Sequence, residues 1–287
     1  MIHEGALIAF TLLIHLAVGA SLLYALKAFT SRDMVLSLPS GFNIRTPELI
    51  LFIIVLLALA ASFFHLGKPV HATNALNNLS SSWISREILG VSLFAGSMLL
   101  LFIGRLLYKD NRKLLMGLFF LLILSGVFLI GAMTRLYMIP TVVTWRAGLT
   151  PASFGLQTLT LGLCGLLIYI LLNQRNLFHI KPIIFWLAIA LIFEMIVAGL
   201  FQGFLQQISV PHVNQLISEG ILLRLTIFRI IIITSALIFL LYLRTKIKAS
   251  VAQPLLLALL ILTLVIIIFE QGLGKYIFYA SYVRIGI

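Results

Sequence analysis

Residues 114–133 read LLMGLFFLLILSGVFLIGAM, a run of twenty without one charge. A helix rises about 1.5 Å per residue, so this run covers the roughly 30 Å of hydrocarbon in a bilayer. Arg112 and Lys113 stand before it and Arg135 just after it. Within lipid the backbone must satisfy its own hydrogen bonds, and a helix does so. The run therefore predicts a transmembrane helix.

The same reading carries outward in both directions. Spans are predicted near 5–29, 47–66, 88–107, 114–133, 154–172, 182–202, 225–243 and 251–270. Pro47 and Pro182 suit a first helical turn, where the missing N–H costs nothing. The expected fold class is all-α: an integral membrane bundle of about eight transmembrane helices, forming one polytopic membrane domain over 1–287. Composition agrees. The chain is 62% hydrophobic and 10% charged, with a mean hydropathy of +1.17, whereas a soluble domain carries about a quarter charged residues. The first apolar run is long, follows no basic residue and ends at no small-residue cleavage site, so no cleavable signal peptide is expected.

The net charge of +12 does not point to nucleic acid, because the basic residues lie in short clusters between apolar runs rather than on one polar face. Twelve of them fall in one set of loops: Lys27, Arg32 and Arg45; Arg105, Lys109, Arg112 and Lys113; Arg175 and Lys181; Arg244, Lys246 and Lys248. Seven fall in the other set, with the termini: Lys68, Arg86, Arg135, Arg146, Arg224, Lys275 and Arg284. The richer set is expected to face the cytoplasm, which puts both termini outside a cytoplasmic (inner) membrane. The longer connections, near 67–87, 134–153 and 203–224, then lie outside, and long connections are often functional. The working face is expected there. The single cysteine, Cys164, excludes an internal disulfide, a Cys-ligated iron–sulfur cluster and a zinc–thiolate site. It reads as a small buried hydrophobe.

Ionisable groups at membrane depth are functional candidates because burying their charge is expensive. His15, His65, Glu87, Glu194, Arg229 and Glu270 qualify. His65 closes the second span and Glu87 opens the third, so both sit shallowly on the outer side. An imidazole exchanges protons near neutrality, and a carboxylate beside it can do the same. Such a pair could take protons from a lipid-soluble hydroquinone whose tail stays in the bilayer. A structural reading competes: the helix macrodipole alone favours Glu87 in a first turn, by about 0.3–1 kcal/mol, and His65 could bond a backbone carbonyl. His15 lies near the middle of its span with no second central histidine, so haem is not expected and a helix–helix hydrogen bond is the default reading. Glu194 and Arg229 read as a pair within the bundle or as part of a proton path. Glu270 reads as interfacial. The stretch 74–87, NALNNLSSSWISRE, is too polar to span, with Trp83 as an interfacial anchor.

Three stretches resemble a known family. They are His65-Leu66-Gly67-Lys68-Pro69 continuing through Ala75-Leu76-Asn77 to Ser85-Arg86-Glu87; Met133-Thr134-Arg135-Leu136-Tyr137 leading to Thr144-Trp145; and Gly274-Lys275-Tyr276-Ile277-Phe278-Tyr279. With eight spans, they resemble the DmsC family, the membrane anchor subunits of dimethyl sulfoxide reductase, over nearly the whole chain. The resemblance implies a subunit that oxidises menaquinol during anaerobic respiration and holds two partners at the membrane. One partner is an iron–sulfur electron-transfer subunit and the other a molybdenum-containing catalytic subunit. It implies His65 and Glu87 as the quinol-site pair and no haem; no metal is expected in this chain, and Arg86 and Arg135 are this chain's own further candidates beside the quinol or the partner. The chain departs from the family pattern at His15, where an uncharged polar residue is usual, and at Arg135, where a smaller one is. Trp83, Trp145 and Arg146 are further candidates for partner contact. Rival readings are a proton-coupled transporter, best supported by Glu194 with Arg229, a polysulfide-reductase-type quinone anchor, and a purely structural tether.

Overall fold

The computed structural model describes residues 2–30, 46–65, 77–145, 148–173, 180–207, 219–247 and 254–282. The motif residues at 66–76, together with Arg146, His179, His212 and the side chain of His65, lie outside the described residues. Among the described residues, eight α-helices are long and apolar enough to cross a membrane. They are α1 (Ile2–Thr30), α2 (Pro47–His65), α3 (Trp83–Leu107), α4 (Arg112–Tyr137), α5 (Leu149–Asn173), α6 (Lys181–Gln207), α7 (Glu219–Lys246) and α8 (Pro254–Ala280).

Local chemistry explains where the helices begin. Proline opens α2, and an N1 proline gives up only an N–H that no helix uses. Ser82 caps α3, its side chain accepting from the Ser85 N–H at 3.4 Å. Asn111 Oδ1 accepts from Leu114 N at 3.1 Å at the start of α4. Within the helices, Thr11, Ser21, Thr134, Thr158 and Thr263 return their hydroxyls to the carbonyl four residues earlier. Hydroxyls satisfied in this way need no water at depth.

The chain divides into two compact units, Met1–Leu136 and Tyr137–Ile287. In the first, α1 packs on α2 and α2 on α3. Contacts of α3 with α4 run through small residues, with Gly90 against Leu129 and Ser97 bonded to Ser125 at 2.9 Å. Gly126 closes the ring: a Cβ there would stand 3.1 Å from Val18 of α1. Small residues at such crossings let backbones approach where lipid offers no hydrophobic drive. In the second unit α5 packs on α6, α6 on α7, α7 on α8, and α8 returns to α5.

Large apolar side chains point outward, among them Leu57, Phe64, Phe120, Phe193, Ile238 and Phe269, while Glu194, Glu270, Gln271 and Lys275 are buried. Trp186, on α6, is 59% exposed. An apolar exterior over a partly polar interior is the distribution that hydrocarbon selects. This is a multi-pass membrane protein.

Most of the helices run beyond the predicted spans. The largest difference is in α8, which the sequence ends near Glu270 and which continues to Ala280. Glu270 is accordingly buried, 1% exposed, rather than interfacial.

Candidate functional site

The first unit gathers polar side chains at both ends. At one end α3 starts just after the turn that includes Asn78–Ser82, where Ser82 N bonds Asn78 O at 2.9 Å. Arg86 Nε donates to Leu79 O at 2.9 Å and Nη2 to Ser80 O at 2.7 Å. Its guanidinium carbon lies 4.1 Å from the centroid of the Trp83 ring, and that of Arg135, in the last turn of α4, lies 5.6 Å from the same ring. Two of the sequence-predicted site residues are thus brought together on one indole, whose negative face attracts cations. Glu87 follows in the opening turns of α3, half-buried. His65 is the last residue of α2. Because α2 and α3 are packed, consecutive crossings, the end of one and the start of the other share an end of the unit.

At the other end of this unit lies a site the sequence reading missed. Glu48, in the first turn of α2 and 1% exposed, accepts from Tyr24 Oη at 2.6 Å and from Arg105 Nη1 at 2.6 Å, and Arg105 also donates to the Tyr24 hydroxyl. The available signal was an acid in a first turn, which the macrodipole already explains. Arg105 counts in sequence only as a loop charge.

The second unit holds its charges inside. Glu194 of α6 accepts from Thr160 Oγ1 of α5 (2.6 Å), from Gln271 Nε2 of α8 (2.5 Å) and from Arg229 Nη2 of α7 (3.3 Å). Arg229 Nε donates to Glu270 Oε1 at 2.5 Å, and Gln271 Nε2 reaches Glu270 Oε2 at 2.7 Å. All four helices of the unit contribute. A buried ion must recover its lost hydration from partners, and here one guanidinium serves two carboxylates. Glu194 and Arg229 pair as the sequence suggests, with Glu270 added. Gly274 makes the geometry possible, since a Cβ there would lie 2.7 Å from Arg229 Cζ.

An aromatic group gathers at the end of this unit where α5 begins and α8 ends. Trp145 stacks on Phe278 at 5.4 Å and 14°, and its Nε1 donates to Phe278 O at 2.7 Å. Tyr137, Phe154, Tyr279 and Tyr282 pack around the pair. Trp145 therefore spends its one polar donor inside the unit rather than offering it to a partner.

Eight apolar-faced helices, with charges confined to helix ends and to a buried interior, define a polytopic membrane subunit without a soluble domain of its own among the described residues. The sequence matches the family model described as DMSO reductase anchor subunit (DmsC) over residues 1–280. Relatives include the anaerobic dimethyl sulfoxide reductase protein YnfH of Escherichia coli K12, 28% identical over 99% of this chain and 96% of that one. Another is an anaerobic dimethyl sulfoxide reductase subunit of Haemophilus influenzae, 23% identical over 99% of this chain and 97% of that one. The chain belongs to the DmsC family of DMSO reductase anchor subunits.

Proposed function

We propose that this subunit oxidises menaquinol at the outer side of the cytoplasmic membrane and passes the electrons to an iron–sulfur subunit. That subunit supplies a molybdenum-containing catalytic subunit, which reduces the terminal acceptor. What carries the reading is the sharing of one end of the first unit by His65, closing α2, and Glu87, opening α3, in a chain of this family. The apolar exterior gives a quinol with a lipid tail lateral access. His65 accepts the proton of one ring hydroxyl and Glu87 that of the other. Two electrons leave for the partner, and the quinol becomes quinone. Both protons are then released to the outer side, the side on which the basic-residue distribution leads one to expect this end.

Arg86 and Arg135, held on Trp83, supply positive charge beside the pair. They suit either a quinone oxygen or an acidic face of the electron-transfer partner.

In the assembled complex, His65→Ala or Glu87→Gln is expected to abolish quinol-driven reduction while dye-driven reduction and assembly persist. Quinol turnover surviving both changes would place oxidation elsewhere. A proton-coupled carrier is the second reading, favoured by the buried Glu194–Arg229–Glu270 cluster. Substrate transport by the chain alone in vesicles would support it over the first.

A further inference from the structure

The buried trio in the second unit has one cation, Arg229, between two acids, Glu194 and Glu270. With both acids ionised it is one positive charge short, a costly state at membrane depth. A second basic side chain stands near without bonding either acid. Lys275 of α8 is 3% exposed, and its Nζ lies 3.2 Å from the centroid of the Phe154 ring with no hydrogen-bond partner among the described residues. Two acceptors are in the same condition, Gln157 Oε1 and Gln271 Oε1.

These three side chains line one cavity of about 20 Å³, which Glu194, Arg229 and Ser153 also border. A water needs about 10–15 Å³ by this measure and two to four polar partners, so the space suits one or two waters and is far too small for a quinone ring. Water also has the right chemistry, accepting from an amine and donating to amide oxygens. A second cavity, of about 30 Å³, shares Ser153, Arg229 and Gly274 with the first and extends to Leu149, Thr150 and Phe278, at the end where α5 begins. Toward the opposite end the interior is closed by Leu167, Leu187, Leu240, Leu243, Leu256 and Leu260.

We propose that the interior of the second unit is a hydrated proton-holding site, in which Lys275, cavity water and the Glu194–Glu270 pair share one exchangeable proton taken from the end where α5 begins. The titratable groups meeting there are Glu194 from α6, Arg229 from α7, Glu270 and Lys275 from α8, and the buried Cys164 from α5. One added proton makes the whole set neutral: it rests on a carboxylate as the acid and passes through the lysine amine as ammonium on its way there. Gln157 and Gln271 hold the water between these positions. A proton enters from the end where α5 begins, by way of the cavity bordered by Leu149, Thr150 and Phe278, adds to one of these groups and leaves by the same route; no electron moves. The leucine layer makes this a site facing one side, not a passage. It needs neither quinol nor partner.

The test uses the full chain alone, in phosphatidylcholine vesicles sorted by orientation, followed by infrared difference spectroscopy after a pH step on one side. A carboxylic-acid signal is expected to follow steps on the side where α5 begins and to ignore steps on the other. Glu194→Gln and Glu270→Gln, each removing part of the band, assign it. A positioned proton carrier commonly speeds transfer by a factor of about a hundred or more, so Lys275→Met is expected to slow the response by about that factor. No carboxyl signal, or equal response from both sides, would overturn the proposal in the unaltered chain, whatever the variants do. An unchanged rate in a Lys275→Met protein of normal helix content would overturn it too. Loss of quinol oxidation in the complex has no bearing on these signals, so failure of either reading can be told from failure of the other.

Discussion

The end of the first unit that carries Arg86, Glu87 and Arg135 and the interior of the second unit both gather charge, and they treat it oppositely. At the first, guanidinium groups lie on the half-buried ring of Trp83 or bond loop carbonyls, and Glu87 is half-buried. In the second, Glu194, Glu270 and Gln271 are buried and bonded to one another and to Arg229. Groups at a rim can meet a substrate or partner with little penalty. Groups in a buried core are committed to one another, because removing a single member strands the rest.

That contrast sets an order of effects. The largest is expected from Arg229→Leu, which leaves two buried acids without their cation. Breaking a buried pair commonly costs about 3–5 kcal/mol, so thermal unfolding in detergent should show a severe loss or no folded protein. Next comes Gly274→Ala, whose methyl group must displace the Arg229 guanidinium from its two acids. Overpacking costs about 1–3 kcal/mol, and Gly203→Ala, where nothing lies within 4 Å of the added carbon, is the matched control with little change expected. The smallest stability effect belongs to Arg86→Ala. An exposed cation–π contact contributes about 0.5–1 kcal/mol, so the melting temperature should barely move while capture of an electron-transfer partner in a binding assay weakens. A large stability loss in Arg86→Ala, or none in Arg229→Leu, would dissolve the distinction between rim and core.

Helix number was legible because each apolar run is long enough to cross lipid and is bounded by charge or by turn residues. Helix ends were less so. Hydropathy counts Glu270, Gln271 and Lys275 as polar residues that stop a span, although in the bundle interior Glu270 and Gln271 bond one another, Lys275 lies over Phe154, and α8 continues past all three. The Glu194–Arg229 pair was readable because two opposite charges near the middle of apolar runs have few ways to be accommodated. Glu48 was not, since its partners Tyr24 and Arg105 come from other helices and each has an ordinary local explanation. Lys275 was hidden for the same reason: at a span's edge a lysine reads as snorkelling to water, and only the packing of Phe154 and Gln157 reveals it as enclosed.

The chain has three tryptophans, and each sits in a different surrounding. Trp186 is largely uncovered on a lipid-facing helix, Trp83 lies under two guanidinium groups, and Trp145 is stacked on Phe278 with its N–H engaged. They form a built-in set of fluorescent reporters. Brominated lipid should darken Trp186 first, docking at the Arg86 rim should shift the emission of Trp83, and Trp145 should change only when the second bundle melts.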